Sequence, residues 1–202
     1  MGKKKIVFAT GNPGKLREAG EILGDGFDIL SAAEAGVPEE IPETGTTLQE
    51  NAFLKADHIW RKTGLDCFAD DTGLEVDALG GAPGIHTARY AGEGKDFQAN
   101  IDKLLRELEK VPAETGPDRS ARFRTSVALI TAGTVHYFDG VMEGSIARER
   151  HGSGGFGYDP VFCPEGCGGL TAAEITEEEK NAISHRGKAL RAMAAYLKET
   201  EG

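Results

Sequence analysis

Lys5-Ile6-Val7-Phe8-Ala9 is a nearly unbroken apolar run, and Pro13 opens a pattern of different period shortly after it. The run reads as a strand covered on both faces, because a half-exposed strand would alternate apolar and polar residues. The second pattern places Leu16, Ala19, Ile22 and Leu23 on one side of a helix. Proline suits the first helical position, where its missing N–H would be unpaired in any case, and Asn12 before it is a good N-cap. The chain therefore begins with a buried strand that passes directly into an amphipathic helix.

The alternation continues. A loop rich in proline and glutamate spans residues 34–46. Thr47 begins a second helix, with Glu50 at capping-box spacing, and Ala52, Ala56, Ile59 and Trp60 line its inner face until Gly64 ends it. A short strand, Cys67-Phe68-Ala69, ends at Asp70-Asp71, and a second extended run covers 74–79. After a glycine-rich loop over 80–92, Asp96 caps a third helix carrying Phe97, Ile101, Leu104, Leu105 and Leu108, which Pro112 stops. Residues 113–120 form a polar linker. Residues 121–131 and 134–148 pair as strands turning at Ala132-Gly133. A second glycine-rich loop (151–160) and helical segments over 176–198 close the chain. Early alternation with a late hairpin predicts an α/β fold with a mixed sheet.

At 202 residues the chain suits one domain with a sizeable core or two small lobes, and no separable linker divides it. A net charge of -10 argues against a nucleic-acid polymer or an anionic membrane as partner. No apolar stretch approaches the ~20 residues that span a bilayer. Lys3-Lys4-Lys5 runs straight into a strand, with no signal sequence between. Cys67, Cys163 and Cys167 make a sparse, odd set that fits a reducing cytoplasm.

Three constellations carry chemistry. Thr10-Gly11-Asn12-Pro13-Gly14-Lys15 joins the first strand to the first helix, where backbone N–H groups and a lysine can meet an anion. Its spacing is not that of a Walker A loop. Asp70-Asp71, followed by Thr72-Gly73, places like charges side by side, an arrangement that suits a cation or a general base as well as a solvated turn. Alternation directs the two carboxylates to opposite sides. Glu43 adds a third acid, and two acids plus substrate phosphates would suit magnesium. In Phe156-Gly157-Tyr158-Asp159, glycine leaves the aromatic ring free to stack on a flat base, and Asp159 can accept from ring N–H groups. Lys180, His185 and Arg186 follow, with Ser184 a candidate cap of the last helix.

The segments TGNPGK, ETGTTLQENAFLKA, FADDTGLEVDALGGAPGIHTARYAG, GFGYDPVF and EEKNAISHRGKAL, in this order, closely resemble the inosine triphosphate pyrophosphatase family, also called the dITP/XTP pyrophosphatases. The resemblance runs from about Ile6 to Leu190. It implies an elongated two-lobed α/β fold with a cleft between the lobes, a homodimer, and magnesium-dependent hydrolysis of ITP, dITP or XTP to the monophosphate and pyrophosphate. It further implies that Thr10 to Lys15 hold the triphosphate, that Glu43 and Asp71 bind magnesium, and that Asp71 is the general base. Thr72 would lie beside the substrate, Phe156 to Asp159 on its base and sugar side, and Lys180, His185 and Arg186 in the base pocket. Asp70 is expected to play a supporting part. A non-catalytic nucleotide-binding module is the alternative, and it predicts binding without turnover.

Overall fold

The computed structural model describes residues 3–38, 41–111 and 119–200. β1 (Lys4–Phe8) leads into α1 (Pro13–Leu23), and β2 (Phe27–Ser31) follows. α2 (Leu48–Thr63), β3 (Cys67–Val76), the two-residue β4 (Pro83–Gly84) and α3 (Phe97–Glu109) come next. The hairpin β5 (Ser120–Thr131) and β6 (Thr134–Ile146), then β7 (Phe162–Pro164), α4 (Glu177–Ile183) and α5 (His185–Thr200) complete the chain. The strand order is β2-β1-β3-β5-β6-β7, with β4 on β3. β1 runs parallel to β2 and β3, whereas β4 and β7 are antiparallel to their neighbours, so the sheet is mixed as expected.

The chain divides into two compact units. Unit 1 comprises Met1–Asp71, Thr125–Gly140 and Arg186–Gly202. Its strands are covered on both faces. Ile6, Phe8, Phe68, Val127 and Leu129 meet α1 and α5 through Ala19, Leu23, Leu190 and Met193. Val7, Cys67, Ala69, Ala128 and Ile130 meet α2 through Ala52, Ala56 and Ile59. Neighbouring residues of one strand thus enter different cores, which is why β1 and the start of β3 read as continuous apolar runs. Unit 2 comprises Thr72–Arg124 and Val141–His185, and packs α3, through Ile101, Leu104 and Leu108, against Leu74, Val76, Phe123 and Phe162.

Three expectations change. β2 was not predicted: Asp28 and Ser31 interrupt its short apolar pattern, and it lies at the edge of the strand order. β3 does not stop at Asp70-Asp71 but carries both through its middle, so the pair is not a turn. Thr47 caps α2 through the Glu50 N–H at 3.0 Å, but the Glu50 carboxylate turns to the N–H and hydroxyl of Thr46 (2.6 and 2.8 Å), leaving half a capping box. Asn12 and Asp96 cap α1 and α3 as read from the sequence, and the hairpin turns at Ala132-Gly133, both with positive φ. Pro112, most of the polar linker, and Glu39 and Glu40 of the acidic loop lie outside the described residues.

Candidate active site

Two residues of β3 organise unit 1. Alternation sends their side chains apart, and each gathers its own set of partners. Asp70 is 2% exposed. Both its oxygens accept from the Lys15 ammonium at 2.9 Å, and Oδ2 also accepts from Arg186 Nε at 2.9 Å. Arg186 Nη1 reaches Glu18 Oε2 at 3.3 Å. Lys15 of α1, Asp70 of β3, Arg186 at the start of α5 and Glu18 of α1 form one chain of alternating charge. Burial works to raise the Asp70 carboxyl, but Lys15 and Arg186 outweigh it and hold the group below the usual carboxylate range. Burial lowers the Lys15 ammonium, with Arg186 adding to that and Asp70 opposing it.

Asp71 faces α2. Its Oδ2 accepts from Asn51 Nδ2 at 3.1 Å and its Oδ1 from Lys55 Nζ at 3.3 Å. Lys55 also donates to Glu43 Oε1 at 2.7 Å, so one ammonium stands between the two carboxylates. Asn51 Oδ1 accepts from the Gly45 N–H at 2.8 Å, which ties the loop after Glu43 to the same asparagine. Burial raises the Asp71 carboxyl above its ordinary value; Lys55 opposes the rise and Glu43 adds to it. Lys55 behaves oppositely. Burial would lower it, but Asp71, Asp70 and Glu43 raise it, so this ammonium holds its proton.

The Thr10–Lys15 loop is set by its own side chains. Asn12 Oδ1 accepts from the N–H groups of Gly14 (2.8 Å) and Lys15 (3.2 Å), and Thr10 Oγ1 accepts from the Asn12 N–H at 3.1 Å. Pro13 supplies no donor. The N–H groups expected to be open to an anion are engaged by the cap itself, which pre-shapes the loop.

In unit 2, Phe156 is 62% exposed, and Lys180 Nζ lies 5.1 Å from its ring centroid. Asp159 is buried, and its Oδ2 accepts from the Phe156 N–H at 2.7 Å and from Lys180 at 2.6 Å. It therefore fixes the loop from within. A Cβ on Gly155 would press on the Asp159 side chain, and Gly155 has φ +72°. Tyr158 is a core residue, and its hydroxyl donates to the Thr87 carbonyl at 2.9 Å. His185 stacks on Phe123 with ring centroids 5.1 Å apart. Thr72 belongs to unit 2 as the residue of β3 that follows Asp71.

Arg186, expected beside Lys180 and His185, has its guanidinium held by Asp70 and Glu18. Asn51, Lys55 and Glu18 join the cluster without having been expected there. Asn51 and Lys55 are four residues apart on α2, one turn along a single face. That spacing, beside the inward Ala52 and Ala56, was the available signal. Among the described residues, no three His, Cys, Asp or Glu side chains gather as metal ligands. Glu43 and Asp71 instead offer two hard oxygen donors around a point that already holds a cation, the Lys55 ammonium. That set fits magnesium, which takes few protein carboxylates.

Residues 6–196 match the Ham1 family. A dITP/XTP pyrophosphatase of Porphyromonas gingivalis is 53% identical over 194 residues, covering 96% of this chain and 97% of that one. One of Bacillus subtilis is 47% identical over 196 residues, covering 96% and 97%. Among solved structures, a HAM1 protein from Coxiella burnetii has a TM-score of 0.89 at 43% identity, covering 97% of this chain and 99% of the other. The Ham1 protein of Staphylococcus aureus has a TM-score of 0.89 at 36% identity, covering 98% and 100%.

Proposed function

This chain belongs to the Ham1 family, and from that membership and the geometry of unit 1 we propose that it hydrolyses deaminated purine nucleoside triphosphates (ITP, dITP and XTP) to the monophosphate and pyrophosphate. One observation carries the chemistry: Lys55 bridges Glu43 and Asp71, while Lys15 stands on the neighbouring Asp70. Two ammonium groups on adjacent acids of one strand provide positive charge for phosphoryl oxygens and a carboxylate for water.

The residue roles follow from this reading. The Thr10–Lys15 loop receives phosphate oxygens, with the side-chain oxygens of Thr10 and Asn12 yielding their N–H donors to the anion. Asp71 accepts the proton of the attacking water, and Asn51 fixes the orientation of its carboxylate. Asp70, paired with Lys15 and Arg186, stays ionised and places the phosphate-loop lysine. Lys15 and Lys55 stabilise the negative charge that develops on phosphoryl oxygens during transfer. Magnesium, held by Glu43 and Asp71, would neutralise phosphate charge when bound. In unit 2, Phe156 is the stacking surface for the base, and Lys180, held by Asp159, is a donor to a 6-oxo group. A donor there disfavours the 6-amino group of adenine, the kind of polar mismatch that discriminates strongly.

The same proposal covers a single functional domain, a homodimer and a cytoplasmic location. Among the described residues, no helix is long and apolar enough to cross a membrane.

A panel of triphosphates with magnesium tests the function, with pyrophosphate and orthophosphate measured separately. ITP and XTP should give pyrophosphate far faster than ATP. Orthophosphate as the product would identify a different NTPase, and tight binding without turnover would identify a binding module.

A further inference from the structure

Lys55 Nζ lies 2.7 Å from Glu43 Oε1 and 3.3 Å from Asp71 Oδ1, so a single ammonium serves both acids. These contacts are largely shielded from water: the side chains of Lys55 and Asp71 are each 13% exposed. Charges interact strongly in such surroundings. The acids do not depend on the ammonium for their places. Asn51, one turn before Lys55 on α2, donates to Asp71 Oδ2 at 3.1 Å and accepts from the Gly45 N–H at 2.8 Å, which anchors the loop that carries Glu43. Asn51 is buried, short and bonded at both ends of its amide. Lys55 reaches the same acids through a long, flexible stem with a rotatable head. The arrangement is a fixed pair of carboxylates with a movable cation between them.

A divalent cation held by Glu43 and Asp71 needs the oxygens that the ammonium now occupies, and it would meet a like charge there. A triphosphate offers the ammonium other anionic oxygens. We propose that Lys55 makes metal loading depend on nucleotide: its ammonium competes with a divalent cation for Glu43 and Asp71, and phosphoryl oxygens relieve the competition by drawing the ammonium away. The proposal rests on the reading of Glu43 and Asp71 as metal ligands. It makes Lys55 a barrier to the metal as well as a partner of the substrate. The coupling is reciprocal, so a filled metal site also frees the ammonium for phosphate.

Manganese, which shares the preference of magnesium for carboxylate oxygens, is the probe. Its binding to the nucleotide-free protein is measured by calorimetry at about 0.15 M salt, where distant charges are screened. Lys55→Met should bind manganese about tenfold more tightly than wild type, a usual size for coupling between sites. Lys15→Met removes the same charge from the neighbouring Asp70 and should change the affinity by less than about threefold. Lys55→Gln leaves a neutral donor between the acids and should also bind more tightly, which keeps the test open if Lys55→Met does not fold. Wild-type or weaker affinity in a folded Lys55 variant overturns the competition. An equal gain in Lys15→Met does the same, because overall charge would then account for it. Adding Glu43→Gln to the Lys55 variant should abolish the gain. A gain that survives this change would instead overturn the reading of Glu43 as a metal ligand, and the proposal with it.

Discussion

Asp70 and Asp71 are adjacent in sequence and opposite in chemistry. Asp70 is enclosed by Lys15 and Arg186 and kept ionised, whereas burial raises Asp71 and leaves it the better proton acceptor. Arg186 holds the first of these states. Removing one partner of a buried ion pair leaves the other charge uncompensated, which costs about 3–5 kcal/mol. Arg186→Ala should fall near the lower end of that range, since Lys15 still faces Asp70. Urea unfolding would measure it, and a loss below about 0.5 kcal/mol would mean that Arg186 contributes little to this cluster. The acidic pair was visible in the sequence as a feature needing explanation, and alternation correctly set its side chains apart. What sequence could not give were the partners. Lys15, Arg186 and Lys55 come from α1, α5 and α2, and although Asn51 and Lys55 share a helix face, nothing local shows that this face meets a strand acid.

At the scale of elements, the legible parts were those with strong periodicity or caps: β1, α1, α2, α3 and the β5–β6 hairpin. β2 is a short edge strand interrupted by Asp28, and β3 was broken in two because Asp-Asp-Thr-Gly has the composition of a turn. Tertiary ion pairing overrides that local preference. The start of α2 shows how an element positions a side chain. Gly45 lies so close to the helix that an added Cβ would stand 2.7 Å from Glu50 Cβ and 2.8 Å from Asn51 Oδ1. Asn51 in turn holds Asp71. Gly45→Ala should displace Asn51, cost about 1–3 kcal/mol through overpacking, and slow ITP turnover. Thermal melting and kinetics of one preparation test both effects. A variant of wild-type stability and rate would show that the loop is free to shift.

For the whole molecule, the α/β class and the mixed sheet followed from the order of elements, and membership of the Ham1 family agrees with them. The division into units did not follow, because β3, β5 and β6 are continuous strands whose residues belong to both. The ionic chemistry centred on Asp70 and Asp71 falls within unit 1, and the exposed Phe156 with its Lys180 partner within unit 2. In the proposed reaction the residues of unit 1 direct water to the α-phosphorus of the nucleotide. Hydrolysis of ITP in water enriched in heavy oxygen tests it most directly, with the label located by mass spectrometry. Water attack at the α-phosphorus leaves the heavy oxygen in the nucleoside monophosphate and the pyrophosphate unlabelled. Label in the pyrophosphate, or in released orthophosphate, would contradict it.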